Sequence, residues 1–187
     1  EYKKEFDLSK KDINSHSLSL DFHGIDTYSS IYLNDSLIAT TDNMFIGKTV
    51  DIKNFAKLGK NNLYVKLFSP INKGVKLHDS LGYDISSFNA NDLAEIGKVE
   101  GNKRVSVFTR KAPYHYGWDW GPRLVTSGIW QPINIKKWNY FNIEDLYIRQ
   151  KTLNESASLV AEIELESYLE IDEMISEIYV DNQKVST

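Results

Sequence analysis

Apolar and polar residues alternate with a period of two along several short stretches of the chain. The clearest early example places Leu18, Leu20 and Phe22 on one side and Ser19 and Asp21 on the other. Successive side chains of a β-strand point to opposite faces of a sheet, so this period predicts a strand with one buried face. Similar patterns predict further strands at residues 1–8, 63–68, 133–136, 144–151, 158–166 and 177–185.

Turn-forming residues separate these stretches at six places. They are His23-Gly24, Asn34-Asp35, residues 58–62, Ser69-Pro70, Gly101-Asn102 and Asp181-Asn182. Many short strands between Gly, Asn and Asp turns are typical of antiparallel sheets packed as a sandwich, so the sequence predicts an all-β fold. Competing helical patterns are short, at residues 86–96 and 171–178, and a loop or single turn is expected where Asn89-Ala90-Asn91-Asp92 interrupts the first.

A shift in composition predicts a domain boundary at about residue 139. Aromatic residues are dense up to Tyr140, whereas from Ile143 onward Trp is absent and Glu is more frequent. We therefore expect one domain over residues 1–139 and the opening strands of a second over residues 140–187. Because a complete sandwich module needs about 100 residues, the second domain is expected to be truncated. The strand-like start at Glu1, without an initiator Met, predicts either a processed protein or a piece of a longer chain, and the hairpin pattern that continues to Thr187 favours the piece.

Composition and charge exclude several classes of protein. The chain has 187 residues, of which 41% are hydrophobic and 26% charged, as in ordinary globular proteins. Its net charge is -4 and its cations are scattered, which argues against a nucleic-acid partner. No stretch approaches the ~18 apolar residues of a membrane-spanning helix, so a soluble protein is expected, cytoplasmic or periplasmic rather than bound to a membrane. The absence of Cys excludes disulfides, thiolate zinc sites and a Cys nucleophile.

The most informative stretch for function is residues 110–123, where Trp118 and Trp120 flank Asp119. Gly and Pro bracket the three residues, and two Tyr, one His and three cations lie close by in sequence. Aromatic faces with a few polar groups suit a sugar ring, which stacks its C–H face and needs partners for its hydroxyls. A carboxylate accepts charge-assisted bonds from two hydroxyls at once. Trp118, Asp119 and Trp120 are therefore the candidate substrate-binding residues.

The same residues also fit a purely structural interpretation. Trp is usually largely buried and Asp is a favoured turn residue, so Trp118 and Trp120 could be core aromatics and Asp119 a turn cap. Trp130 and Trp138 lie on strand-like stretches and are predicted to be core residues. A structural role is also expected for His115, and for Asp26 at the start of a strand.

Catalytic residues are not found in the sequence. No pair of carboxylates has the aromatic, pocket-like setting that a retaining glycosidase needs, since most Glu residues lie on the polar side of the stretch from Glu162 onward. A nucleophile elbow, a phosphate-binding Gly loop and a metal-binding spacing of His are absent as well. We therefore expect no catalytic residue, metal or cofactor in this chain.

The same motifs carry a resemblance to a known family. Residues 110–122 and Gly128-Ile129-Trp130-Gln131-Pro132 resemble the signature of the non-catalytic jelly-roll domain of β-mannosidases in glycoside hydrolase family 2. Residues 22–28, 31–34 and 42–45 are similar to that domain in the same order. The resemblance covers residues 1–139 and implies a galactose-binding-like jelly-roll sandwich, with the strands that normally precede Glu1 expected to be missing. Residues 140–187 resemble, less specifically, the start of the immunoglobulin-like domain that follows.

The resemblance also implies a function. The β-mannosidases of this family release terminal non-reducing β-D-mannose with retention, using two Glu residues of a TIM-barrel domain later in the same chain. Trp118 would line the mannose pocket, Asp119 would accept from sugar hydroxyls, and Trp120 would belong to the same loop. The implied partners are a mannoside substrate and that barrel.

Three alternatives remain open from the sequence. The chain could be a free-standing carbohydrate-binding module. It could belong to a family 2 glycosidase with another sugar specificity, such as a galactosidase or a glucuronidase, although the paired Trp residues argue against this. It could also be a purely structural or adhesive β-domain.

Overall fold

A computed structural model of the chain describes residues 1–85, 105–118, 120–154, 157–170 and 175–186. Strands account for most of the described regular structure, so the prediction of an all-β fold is confirmed. The chain divides into two compact units, Glu1–Lys137 and Trp138–Thr187. No helix within the described ranges has the length and apolar character needed to cross a membrane.

Among the described residues, nine strands, two α-helices and two 3₁₀ turns (Ser106–Phe108 and Pro113–Tyr116) lie in the first unit or end at its boundary. The strands and α-helices are β1 (Tyr2–Leu8), α1 (Lys10–Ile13), β2 (Ser17–Phe22), β3 (Ile25–Asp26), β4 (Tyr28–Leu33), β5 (Ser36–Asp42), β6 (Lys48–Asp51), β7 (Gly59–Phe68), α2 (Pro70–Leu81), β8 (Gly128–Ile129) and β9 (Ile133–Trp138). One sheet has the strand order β1-β7-β4-β5, a second has the order β6-β2-β9, and β3 pairs with β8.

The core of the first unit is built from the alternating positions of its strands. Leu18, Leu20 and Phe22 of β2 are at most 2% exposed, and they belong to one buried cluster with Ile31 of β4 and Val65 of β7. Burial of such a side chain contributes about 1.5–3 kcal/mol relative to exposure. The pattern at residues 18–22 therefore predicts both the strand and its buried face correctly.

Two predicted turns have the backbone conformation that their residues favour. Asn34 and Asp35 both have positive φ, at 48° and 68°, and join β4 to β5 with Leu33 opposite Ser36. Asn and Asp tolerate this left-handed region better than other side chains, which suits a two-residue hairpin turn. The predicted turn at Asp181-Asn182 has the same conformation, with φ of 48° and 64°.

Helix α2 corrects the interpretation of Ser69-Pro70 as a turn. Ser69 is the N-cap, its hydroxyl accepts from the Asn72 amide at 3.2 Å, and Pro70 occupies the first turn. Gly82 ends the helix in the left-handed conformation. These are ordinary helix start and stop signals. The helical pattern predicted at residues 86–96 lies outside the described residues, as does the turn at Gly101-Asn102. The pattern predicted at residues 171–178 is wrong where the structure describes it, since residues 175–177 have no regular structure and Ile178 begins a strand.

The second unit consists of two antiparallel strand pairs. Strand β10 (Phe141–Leu153) pairs with β11 (Ala157–Ser167), and β12 (Ile178–Val180) pairs with β13 (Gln183–Ser186). The strand prediction at residues 158–166 is confirmed, but Leu159 and Ile163 on its apolar side remain 55% and 40% exposed. Among the described residues of this unit no second layer of side chains buries that face.

Candidate functional site

The site is a loop of the first unit, and both of its ends lie beside the short strand β3. We call residues 112–127 the tryptophan loop, since Trp118 and Trp120 lie within it. Before the loop, the Arg110 carbonyl accepts from the Met44 amide at 3.0 Å, and the Phe108 carbonyl accepts from the Tyr28 hydroxyl at 3.0 Å. After the loop, Gly128 pairs with Asp26. Both ends of the loop are therefore attached to the body of the sandwich.

A buried ion pair closes the loop at its base. The Lys111 side chain is fully buried, and its ammonium contacts the Asp26 carboxylate, which is also buried. The same ammonium donates to the Thr126 carbonyl at 2.9 Å. Lys111, the residue just before the loop, thus contacts both Thr126 near the end of the loop and Asp26 on strand β3.

Tyr116 and Arg123 fill the interior of the loop. Tyr116 lies in a 3₁₀ turn over Pro113–Tyr116 and is completely buried. The Arg123 guanidinium lies 5.9 Å from the centre of the Tyr116 ring, within range of a cation–π contact, and is also buried. Tyr114, in contrast, is 61% exposed and stacks on His115 with ring centres 4.6 Å apart.

The two candidate tryptophans lie at the tip of the loop. Trp118 and Gly121 are joined by a pair of backbone hydrogen bonds, of 3.0 and 3.4 Å, which close a tight turn. Trp118 is 57% exposed and Trp120 is 95% exposed. The interpretation of both as core aromatics is therefore wrong for the described structure. Asp119 lies outside the described residues.

Trp130 also differs from its prediction as a core residue. It is 51% exposed, and its indole N–H donates to the Met44 carbonyl at 3.2 Å. The ring lies over Gly24, where an added Cβ would come within 2.6 Å of the indole nitrogen. It therefore covers Gly24 at the surface instead of filling the interior. Trp138 is partly buried at the end of β9.

Sequence reasoning missed the role of Asp26. It was expected only to fix the start of a strand, yet it is the buried partner of Lys111, 85 residues away. The only signal in the sequence was a lysine immediately before the aromatic loop. His115, predicted to be structural, has its Nδ1 3.3 Å from the Leu124 carbonyl and 3.4 Å from the Thr126 hydroxyl, inside the same loop.

The site offers exposed aromatic surface. Over the part of the chain that the structure describes, no cluster of three or more His, Asp or Glu side chains could hold a metal ion. Exposed indoles with polar groups nearby can stack on the apolar face of a sugar ring. The arrangement suits recognition of a carbohydrate.

Comparison with known proteins gives this loop a family context. The family described as "Glycosyl hydrolase 2 galactose-binding domain-like" matches residues 1–131. A protein from Thermothelomyces thermophilus named Beta-mannosidase B is 29% identical over 171 residues, covering 89% of this chain and 18% of that protein. A protein of the same name from Aspergillus fumigatus is 31% identical over 152 residues, covering 79% of this chain and 16% of that protein. The chain thus spans less than a fifth of these relatives.

Two solved structures are similar to the chain, one in sequence and fold and the other in fold alone. The β-D-mannosidase of Dictyoglomus thermophilum superposes with a TM-score of 0.77 at 37% identity, over 89% of this chain and 19% of that chain. A β-glucuronidase from an uncultured Clostridium sp. superposes with a TM-score of 0.57 at 19% identity, over 89% of this chain and 24% of that chain. The second likeness is one of fold alone.

Proposed function

The chain belongs to the galactose-binding-like domains of glycosyl hydrolase family 2, and we propose that it is the non-catalytic N-terminal part of a retaining exo-β-mannosidase. The complete enzyme would hydrolyse terminal non-reducing β-D-mannose residues. The mannosidase names of relatives and of a solved structure at 29–37% identity support this substrate. Their much greater length supports a catalytic domain elsewhere in the same polypeptide.

The tryptophan loop would supply part of the mannose subsite. The observation that carries this role is the exposure of both indoles on a turn whose base is buried and ion-paired. Trp118 would line the pocket, and Asp119, between the two indoles in sequence, would accept from sugar hydroxyls remote from the bond that breaks. Each charge-assisted bond of this kind contributes about 1.5–3 kcal/mol. Remote contacts of this kind raise the rate when they are stronger in the transition state.

The chemical step itself would take place on the remainder of the enzyme. Retaining hydrolysis needs an acid/base carboxyl and a nucleophilic carboxylate about 5–5.5 Å apart. We assign both to Glu residues of a TIM-barrel domain of the same chain, with no metal and no cofactor. Residues 1–139 would form the jelly-roll domain, and residues 140–187 would open an immunoglobulin-like domain between it and the barrel.

Substitution of Asp119 tests this assignment. We expect Asp119→Ala in the full-length enzyme to lower kcat/KM for an aryl β-mannoside by roughly tenfold to a hundredfold, as expected for one or two lost charge-assisted bonds. Asp7→Ala is a matched control, since Asp7 is an exposed carboxylate on β1. Unchanged kinetics in Asp119→Ala would reduce this residue to a turn former.

Sugar specificity is tested separately. The fold is shared with β-glucuronidases, so an enzyme acting on another sugar is the main competitor within the family. A panel of aryl β-glycosides should give the highest kcat/KM for the mannoside. Preference for a glucuronide or galactoside would contradict the proposed substrate while leaving the family unchanged.

A free-standing carbohydrate-binding module is the second candidate function, and the exposed indoles favour it. In that case the 187-residue chain alone would bind mannosides measurably. Calorimetric titration with millimolar sugar distinguishes the two: heat of binding supports the module, and a flat titration supports a subsite completed by the barrel.

A further inference from the structure

We propose that Lys111 is a positioning residue, which holds the base of the tryptophan loop closed and thereby sets the place of the Trp118–Gly121 turn. The inference rests on the proposed function for its effect on catalysis. Its effect on the loop itself can be measured without any sugar.

The geometry places one ammonium group in contact with both ends of the loop and with β3. Lys111 precedes the loop and Thr126 is near its end, and the Lys111 ammonium donates to the Thr126 carbonyl at 2.9 Å. The same group contacts the carboxylate of Asp26, whose backbone lies opposite Gly128. Loss of the ammonium would therefore remove the contact that joins the loop's entry to its exit at β3, while the contacts of His115 with Leu124 and Thr126 would remain.

Asp26 is arranged to hold this cation. One of its carboxylate oxygens contacts the Lys111 ammonium, and the other accepts from the Thr27 hydroxyl. Asp26 and Thr27 are both buried, and the Lys111 side chain is completely inaccessible. With little water to compete, these bonds define the position of the ammonium more narrowly than a surface ion pair would.

Stability and positioning can be separated at such a pair. Removing one partner leaves an uncompensated buried charge and destabilises the fold, whereas replacing both by apolar residues can restore stability. An apolar side chain at position 111 still cannot donate to the Thr126 carbonyl. A variant with both residues replaced therefore tests the loop contact without the unpaired charge.

The experiment compares Lys111→Met with Lys111→Met/Asp26→Leu in the full-length enzyme. We expect the double variant to recover most of the melting temperature lost by the single variant. Amides of residues 112–126 should nevertheless exchange hydrogen at least about tenfold faster than in the wild type, because the loop opens locally. For an aryl β-mannoside kcat/KM should stay at least about fivefold lower.

Lys137→Met is the matched control, because Lys137 forms an ion pair with Asp12 away from the loop. It should leave exchange in residues 112–126 and kcat/KM unchanged. Wild-type exchange and wild-type kcat/KM in the double variant would overturn the proposal. A double variant that fails to fold would overturn it too, since the pair would then stabilise the sandwich rather than place the loop.

The two proposals fail in different ways. If Trp118→Ala keeps wild-type kcat/KM, the mannose subsite is wrong, but faster exchange in the Lys111 variants would still establish the loop closure. If Trp118→Ala loses activity and the double variant does not, the subsite stands and the positioning role is wrong.

Discussion

Trp118 and Trp120 lie at the surface because other residues of the loop occupy its interior. Tyr116 and Arg123 are buried there, and Lys111 and Asp26 are buried at its base. Large indoles exposed to water are unfavourable for folding alone, and exposed aromatic groups of this kind mark binding surfaces. At the residue scale, the exposure of both indoles is what the proposed binding role of the loop requires.

His78 gives a prediction about pH at the same scale. Its ring nitrogens lie 2.6 Å from an Asp84 carboxylate oxygen and 3.2 Å from one of Asp79. Hydrogen bonds to Asp84 first and Asp79 second raise the pKa of His78 above its ordinary value of 6.5. Protonated His78 therefore stabilises the fold fully below pH 6.5, and this contribution is lost as pH rises through the raised pKa.

We expect the His78 ring to titrate by NMR with a midpoint above 6.5. The free energy of unfolding should fall as pH increases through that midpoint, and His78→Gln should abolish this part of the pH dependence. A midpoint at or below 6.5 would show that neither carboxylate holds the proton.

At the element scale, α2 shows why one helix was not expected. Its partly or fully buried residues are Pro70, Ile71, Gly74, Val75 and His78, which have helical spacing. Gly74 has no side chain and His78 is polar, so the periodic signal is weak. Gly74 is required by packing, since a Cβ there would lie 2.8 Å from the Cβ of Val105. Gly74 and Val105 are far apart in sequence, so the periodicity of residues 70–81 alone does not predict their contact.

Asn61, on strand β7, holds the turn that leads into that strand. Its side chain is fully buried, donates to the carbonyls of Lys57 and Gly59 at 2.7 and 2.9 Å, and accepts from the Lys57 amide and the Asn34 side chain, both at 2.8 Å. It thereby connects the start of β7 to the β4–β5 hairpin. Every hydrogen-bonding atom of the amide is used.

Asn61→Ala should destabilise the first unit by about 2–3 kcal/mol, because buried backbone groups lose their partners. Urea unfolding measures the change. Asn62→Ala is the control, since Asn62 is exposed on the same strand, and it should alter the free energy of unfolding by less than about 0.5 kcal/mol. Equal effects of the two substitutions would refute the role of Asn61.

At the scale of the whole molecule, the all-β class and most strands follow from period-two alternation, as residues 18–22 show. The tryptophan loop could be identified from its residue types, and its family from its motif. The Lys111–Asp26 pair could not, since 85 residues separate its members and only the fold brings them together. The exposure of Trp130 was missed because a strand-like pattern does not tell a core position from one that covers a glycine.

The chain matches less than a fifth of its mannosidase relatives, and the proposed role of the tryptophan loop is to complete a mannose subsite of a larger enzyme. The most direct measurement is kcat/KM for an aryl β-mannoside in full-length Trp118→Ala, beside Leu124→Ala. Leu124 is a suitable comparison because it is an exposed apolar residue of the same loop, 56% exposed against 57% for Trp118.

If the tryptophan loop forms part of the mannose subsite, Trp118→Ala should lose about tenfold or more in kcat/KM, and Leu124→Ala should remain near the wild-type value. Equal kcat/KM in Trp118→Ala and wild-type enzyme, with both variants folded, would contradict the account.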